Sequence, residues 1–295
     1  MKILCLHGIL GSGKLFEFQT AAFRELLGED CEYIFIDGEI EVNSQSTTTT
    51  AQFRWTRNAG PSEIQSAHEY IQAVIEGDGP FQGVMGFSDG AAMAASIMLQ
   101  HETNKSDQQP PFQFAILFSC SLVSSPDKNF AKEFYEATYK RSSAEMSKAM
   151  DVSVQEFPGR SGDVDQVVDG LDQSSWDAVV KEMWEATAKT QKELRIQIGL
   201  EESQVLVKDT ESLPKIYHTA LLSQRVRIPT ACITGSNDPC FKAVQMMQEL
   251  FDKRNTKIFV HSGGHNLPKQ ANDLKNAVAA AQWTILQSQL MINQR

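Results

Sequence analysis

The stretch Gly83-Val-Met-Gly-Phe-Ser-Asp-Gly-Ala91 decides the fold that we predict for this chain. It begins with a short apolar run, typical of a buried strand, and Gly90–Leu99 is rich in small residues, typical of a packed helix. Ser88 lies at the junction, between Gly86 and Gly90. A sharp turn there strains the serine backbone and exposes its hydroxyl, and the glycines remove side chains that would clash. The stretch therefore predicts a nucleophilic serine; the alternative is an ordinary serine in a glycine-rich turn.

Other apolar runs predict that Gly83–Phe87 belongs to a sheet of about six strands. The further strands are Ile3–Leu6, Tyr33–Ile36, Phe114–Cys120, Thr230–Thr234 and Lys257–Val260. Runs this continuous are typical of parallel strands that are buried on both faces. Helical patterns lie between most of them, at Leu15–Leu27, Pro61–Ile75, Phe241–Phe251 and Ala271–Leu290. The alternation predicts an α/β fold with a mostly parallel sheet and helices on both faces.

Residues 121–228 interrupt this alternation, because they contain no convincing strand. Helical patterns occur at roughly Asp127–Met150, Ser174–Ile198 and Glu201–Leu222, with a Gly/Asp-rich loop at Pro158–Asp172. We expect residues 1–120 and 229–295 to form the core, and residues 121–228 to form a helical lid over the carboxyl edge of the sheet, where open α/β sheets bind ligands. A peripheral helical decoration is the alternative.

Two residues that follow later strands complete a candidate catalytic set with Ser88. A nucleophilic serine needs a base for its proton, and the base needs a carboxylate to hold its tautomer. Asp238 follows Thr230–Thr234 in a turn-rich loop, and His265 follows Lys257–Val260 and two glycines. The order Ser, acid, His is that of the nucleophile-elbow fold of α/β-hydrolases. We therefore predict a triad of Ser88, Asp238 and His265, with His261 as the weaker candidate for the base.

An acyl-transfer site also needs N–H donors for the negative oxygen that develops in the reaction. One donor is normally the residue after the nucleophile, here Asp89, and the other lies in a loop after an earlier strand. The first strand leads into Gly8-Ile-Leu-Gly11, so Ile9 is the second candidate donor and Leu10 the next. We expect His7 to support this loop rather than to take part in the chemistry.

The same loop raises a rival from another functional class. Gly8-Ile-Leu-Gly-Ser-Gly-Lys14 matches the Gly-x-x-x-x-Gly-Lys pattern of phosphate-binding loops, between a strand and a helix. In a nucleotide-binding protein the next residue provides a hydroxyl to Mg²⁺, and here it is Leu15. The rival therefore fails at one position. A third class, a non-catalytic hydrolase scaffold that binds a ligand, is disfavoured by the intact set of three residues.

Composition excludes several partners. The chain has 295 residues and a net charge of −10, so we expect no nucleic-acid surface. It contains no run of eighteen apolar residues, so we expect no membrane span. The five cysteines are scattered, with no pair spaced for a metal, so we predict no metal site and a reducing, cytoplasmic location. Oligomeric state stays open.

Beyond single motifs, the chain resembles the fungal serine hydrolase family, which includes yeast hydrolases and the human ovarian-cancer-associated hydrolase. The matching segments are Lys2–Gly8, Gly79–Ala91, Phe114–Ser119, Gly235–Asp238 and His261–Pro268. The resemblance implies a cofactor-free esterase or thioesterase with Ser88, Asp238 and His265 as the triad. Members linked to polyketide clusters are most similar, although this chain has Asp89 where the family more often has an uncharged residue.

These observations lead us to expect a serine hydrolase that acts on a sizeable apolar acyl ester or thioester. A polyketide-type acyl group, either free or on a carrier protein, is the substrate class that the resemblance favours. A large lid fits that substrate because it could exclude water from a long pocket. A short-chain carboxylesterase acting on small esters is the alternative.

Overall fold

A computed structural model describes residues 1–28, 30–42, 51–138, 171–172, 174–183, 185–186 and 213–293. Its centre is a six-stranded sheet with the strands β1 (Lys2–Leu6), β2 (Glu32–Ile36), β5 (Gly83–Phe87), β6 (Phe114–Phe118), β7 (Thr230–Gly235) and β8 (Thr256–His261). Every neighbouring pair is parallel, in the order β2-β1-β5-β6-β7-β8. A separate antiparallel pair consists of β3 (Ile40–Val42) and β4 (Gln52–Arg54). The predicted α/β architecture with about six parallel strands is confirmed.

Helices cover both faces of the sheet and create two buried cores. They are α1 (Gly13–Leu27), α2 (Pro61–Asp78), α3 (Asp89–Asn104), α4 (Phe241–Gln248) and α5 (Ala271–Asn293). Side chains alternate along β1, so that Leu4 packs with α2 and α3, whereas Ile3 packs with α1 and α5. Within the described residues, no helix combines the length and apolar character that a membrane crossing requires.

Two local features differ from the sequence-based expectations. The strand predicted at Phe114–Cys120 ends at Phe118, because Ser119 has a φ of 45°, outside the extended region. The β3–β4 pair was not predicted, since strands of three residues carry too little periodicity to be recognised. The polar loop expected at Ser44–Thr50 lies outside the described residues.

The described ends of the 121–228 segment are joined to each other by backbone pairing. Ser124 and Ile216 form an antiparallel bridge, and the Tyr217 N–H donates to the Val123 carbonyl at 2.8 Å. The helix predicted at Glu201–Leu222 is therefore wrong at its C-terminal end, where extended pairing replaces it. Helical turns do occur at 132–138 and 174–183, within two of the predicted helices. The remaining parts of the three helical patterns, and most of the loop at Pro158–Asp172, lie outside the described residues.

These described ends also pack on the core beside α3. The Ser96 hydroxyl on α3 donates to the Ser124 carbonyl at 2.6 Å, and Arg227 at the other end donates its Nε–H to the carboxylate of Glu102 on α3 at 2.7 Å. The segment is thus anchored to the α3 face at both of its ends. Its action as a lid stays a prediction.

Candidate active site

Ser88 occupies a strained turn between β5 and α3. Its φ of 52° and ψ of −113° are unusual for a residue with a side chain, and its N–H donates to the Phe118 carbonyl at 2.9 Å. The turn is tight because a Cβ at Gly90 would lie 2.2 Å from the Leu6 carbonyl oxygen, and a Cβ at Gly86 would lie 2.6 Å from the next turn of α3. The two glycines of the pentapeptide are therefore required by close packing on both sides of Ser88.

Asp238 is held by the turn that follows β7. Its carboxylate accepts the Cys240 N–H at 2.7 Å, while the more distant Thr234 hydroxyl lies 3.4 Å away. Its own N–H donates to the Gly235 carbonyl, which closes the turn. The Asp238 side chain is fully buried, so these donors compensate for part of the cost of removing a carboxylate from water.

His265 joins Ser88 to Asp238. Its Nδ1 lies 3.0 Å from both carboxylate oxygens of Asp238, and its Nε2 lies 2.8 Å from Ser88 Oγ. His261, the weaker candidate, is buried elsewhere and accepts the Gly263 N–H at its Nδ1. The structure therefore brings together Ser88, Asp238 and His265, and it does not bring His261 to the serine.

The pKa values of this pair are shifted in opposite directions. Burial alone would lower the pKa of His265, but its hydrogen bond to Asp238, its contact with Cys240 and the Asp238 charge outweigh burial and raise it. Burial would likewise raise the pKa of Asp238, but the hydrogen bond and charge of His265 outweigh it and lower that pKa. An ionised Asp238 beside a more basic His265 is the state that favours proton transfer from Ser88.

The loop after β1 lies directly against the nucleophile. A Cβ at Gly8 would lie 3.3 Å from Ser88 Cβ and 2.8 Å from the Phe87 ring, so a side chain there would push the loop away. No acceptor within the described part of the chain takes the N–H of Ile9 or of Asp89, the two sequence-predicted donors. An oxyanion-binding site requires unused N–H groups of this kind, in the loop against the buried serine and at the residue after it.

The β3–β4 hairpin fixes this loop through His7, an arrangement that the sequence did not predict. His7 Nδ1 lies 2.7 Å from the Gly8 carbonyl, so it carries the proton, while Nε2 accepts the Gly38 N–H at 3.0 Å. Trp55 stacks on the His7 ring at 4.8 Å and donates its indole N–H to the His7 carbonyl at 2.8 Å. Burial lowers the pKa of His7, which keeps the ring neutral. The expectation that His7 supports the loop agrees with these contacts.

Comparison with known proteins shows the family of the chain. The model of the serine hydrolase family (FSH1) matches residues 1–277. The chain belongs to this family. Esterase alnB of Emericella nidulans is 29% identical over 300 residues, covering 98% of both chains, and Hydrolase FUB4 of Fusarium oxysporum is 23% identical over 285 residues, covering 93% of this chain and 94% of its own.

A solved structure described among novel epoxide hydrolases of the alpha/beta hydrolases superfamily, from hot-environment metagenomes, covers 96% of this chain and 90% of its own. It is 15% identical, with a TM-score of 0.46. Membership of the family makes the protein a serine hydrolase, and its fold is the α/β fold with a parallel sheet described above.

In this serine hydrolase, the structure does not support the alternative that Gly8–Lys14 is a phosphate-binding loop. A phosphate would need free N–H groups in the Gly8–Lys14 loop, but the Gly11 N–H donates to the Gly8 carbonyl and the Gly13 N–H to the Asp37 carboxylate at 2.7 Å. Ser12 caps α1 by accepting the Leu15 N–H. An aspartate and a serine of the chain thus satisfy N–H groups that a phosphate-binding loop would offer to its ligand.

Asp89 remains the unusual residue of the site. Burial raises the pKa of Asp89 to about 6, and the charge of Arg54 at the end of β4 opposes the shift. Among the described residues, the Arg54 Nε is buried and has no hydrogen-bond partner, and the guanidinium acts on Asp89 through its charge. At neutral pH the site therefore carries a costly carboxylate next to the nucleophile.

Proposed function

We propose that this serine hydrolase cleaves an acyl ester or thioester through a covalent acyl-enzyme on Ser88. The observation that supports it is the continuous line of contacts from Ser88 Oγ to His265 (2.8 Å) and from His265 to Asp238 (3.0 Å). Nucleophile, base and orienting carboxylate lie at hydrogen-bonding distance and in the order that this chemistry requires.

Acylation begins when His265 Nε2 accepts the Ser88 proton as Oγ attacks the acyl carbonyl carbon. Asp238 holds the Nδ1 proton and stabilises the imidazolium that forms. The N–H groups of Ile9 and Asp89 donate to the negative oxygen of the tetrahedral intermediate. The carbon–oxygen or carbon–sulfur bond then breaks, and His265 gives its proton to the departing alcohol or thiol.

Deacylation repeats these steps with water. His265 takes a proton from the water molecule that attacks the Ser88 ester, and then returns it to Ser88 Oγ as the acid leaves. No cofactor or metal is needed for either half of the reaction.

For the substrate, we favour a sizeable apolar acyl group, of polyketide type, either free or bound to a carrier protein. The support is the resemblance of the sequence to polyketide-cluster members and a segment of about a hundred residues, 121–228, that can act as a lid. A lid of that size would enclose a long apolar chain and exclude water during the reaction.

Labelling by a fluorophosphonate probe tests the nucleophile. Wild type should be labelled and Ser88→Ala should not, whereas Ser66→Ala, which removes an exposed serine on α2, should be labelled as wild type. An unlabelled wild type would favour a non-catalytic scaffold. Equal labelling of Ser88→Ala would assign the chemistry to another residue.

A chain-length series tests the substrate class. We expect kcat/KM to rise from acetyl to long-chain acyl esters, and we expect thioesters to be cleaved at least as well as the matching oxyesters. A maximum at acetyl or butyryl esters would instead identify a short-chain carboxylesterase. Hydrolysis of the acyl group from Ser88, followed by mass spectrometry of the released acid, would give the length of the bound acyl chain directly.

A further inference from the structure

Cys240 lies beside His265 and Asp238, yet the reaction described above makes no use of its thiol. Its N–H binds the Asp238 carboxylate at 2.7 Å, and its side chain also interacts with the His265 ring. The residue is 1% exposed, and Asp238 is 4% exposed. One sulfur, one imidazole nitrogen and one carboxylate oxygen therefore share a small buried volume, with their ligand atoms all within 4.8 Å of one another.

This trio matches the ligand chemistry of a thiophilic divalent cation. Zinc binds thiolate at about 2.3 Å and imidazole or carboxylate at about 2.0–2.2 Å, which places tetrahedral ligands roughly 3.3–3.8 Å apart. The three side chains meet this spacing with movements of at most about 1 Å. Three protein ligands and one open position are also the usual arrangement of reactive zinc sites, in contrast to closed structural ones.

We propose that Asp238, Cys240 and His265 form a binding site for Zn²⁺ or Cd²⁺, and that its occupation inhibits the hydrolase. The inhibition, although not the binding, rests on the proposed catalytic role of His265. Hard cations such as Mg²⁺ should not bind, because they require near-octahedral oxygen ligands and a thiolate is a poor substitute.

Inhibition would follow from a change of tautomer. In the metal-free site the Nδ1 proton of His265 points to Asp238, and Nε2 is free to accept the Ser88 proton. The Nδ1 proton leaves to solvent, a solvent proton binds Nε2 in its place, and the cation takes the Nδ1 lone pair; the Cys240 thiol releases its own proton to solvent, so one proton is released in all. A protonated Nε2 cannot act as a base, so Ser88 loses its activation although its hydroxyl stays in place.

Cadmium reports on binding without any enzyme assay, through the ultraviolet absorption of the cadmium–thiolate bond. Wild type should show about one equivalent of this signal that Cys240→Ala lacks. Cys31→Ala is the matched control, since Cys31 is half-buried and precedes β2 at the amino-terminal edge of the sheet, away from Ser88. Ser88→Ala should bind cadmium as wild type, because Ser88 is not a ligand.

Zinc titration of the hydrolysis rate tests the consequence. With each variant compared to its own metal-free rate, loss of Cys240 should weaken inhibition by at least about 100-fold, since even the loss of an outer partner of a metal ligand costs 10–100-fold. A chelator should restore wild-type activity, and Mg²⁺ at the same concentration should have no effect.

Separate outcomes identify which idea has failed. Equal cadmium absorption in wild type and Cys240→Ala, or equal zinc inhibition in both, would overturn the metal site and leave the proposed function intact. Cysteine-dependent cadmium binding by a protein that never hydrolyses an ester would overturn the proposed function and leave the metal site intact. Binding without inhibition in an active enzyme would overturn the tautomer argument.

Discussion

Replacement of Asp89 by Asn separates the two contributions of this residue to the site. The substitution keeps the backbone N–H that we assign to the oxyanion, and it removes the carboxylate. Burial raises the pKa of Asp89 from its ordinary value of 3.8 to about 6, so the folded protein holds the protonated form more readily than the unfolded chain does. Above about pH 6, ionisation of the Asp89 carboxyl costs free energy in the folded protein but not in the unfolded chain.

The sign and size of the effect follow from that shift. Below about pH 3.8 the carboxyl is protonated in both states and costs nothing; between pH 3.8 and 6 the unfolded state ionises first, and wild type loses stability. Roughly two pKa units at about 1.4 kcal/mol each give a limit of about 3 kcal/mol. The side chain keeps partial contact with solvent, so we expect about 1–3 kcal/mol. Asp89→Asn should gain this amount relative to wild type between pH 4 and pH 7.

Urea unfolding of both proteins from pH 4 to pH 8 measures the difference directly, because groups common to the two chains cancel. Asp107→Asn, which replaces an exposed carboxylate, controls for the general loss of a negative charge. Hydrolysis above pH 6 should also become faster in Asp89→Asn, since no negative charge then opposes the oxyanion. A difference in unfolding free energy that stays constant with pH would refute the reasoning.

Four further outcomes test the site and its framework. Asp238→Asn should lower kcat by about 10⁴, because the amide stabilises the wrong tautomer of the imidazole, and near-normal turnover by a folded variant would contradict the triad. Asp238 and the Cys240 contact raise the pKa of His265 despite its burial, so the neutral, basic form of the imidazole accumulates only at higher pH. We therefore expect kcat/KM to rise with pH through a midpoint above the ordinary histidine pKa of 6.5. A midpoint below 6.5 would contradict the shift. Gly90→Ala should lose several kcal/mol of stability in urea unfolding or fail to fold, because its Cβ would lie 2.2 Å from a backbone oxygen of β1. The control Gly77→Ala, in open space on α2, should instead gain about 0.5–1 kcal/mol of stability. Trp55→Phe removes the 2.8 Å bond to the loop after β1, so stability should fall by about 1–2 kcal/mol and kcat should fall more than KM changes; unchanged kcat would separate the hairpin from catalysis.

The sheet was predictable because every central strand is a continuous apolar run. Gly83–Phe87 has the bounds that the sequence indicates, and the other five strands differ by one or two residues at their ends. The end of β6 was misjudged because apolar character continues to Cys120, whereas the backbone turns at Ser119. Hydrophobicity marks burial, but it carries no information about a single left-handed residue.

The positions of Ser88, Asp238 and His265 could be anticipated because each follows a strand, and parallel strands place their carboxyl ends at one edge. The supporting contacts could not. The Trp55 indole reaches the His7 carbonyl across 48 residues of chain, and no local pattern records such a pairing. The sequence carries a weak signal for the proposed metal site, since Cys240 lies two residues after Asp238. Patterns of paired cysteines do not include it, because the other two proposed ligands are an aspartate and a histidine.

The 2.8 Å contact between Ser88 and His265 spans 177 residues of sequence. During synthesis, the nucleophile leaves the ribosome long before its base exists, and Ser88 has no activating imidazole until β7 and β8 have been added to the sheet. Contacts this distant in sequence are slow to form, because the chain entropy lost on closing such a loop must be paid first. Hydrolysis is therefore a late signal of complete folding, and its recovery after denaturant dilution should lag behind the recovery of helical signal.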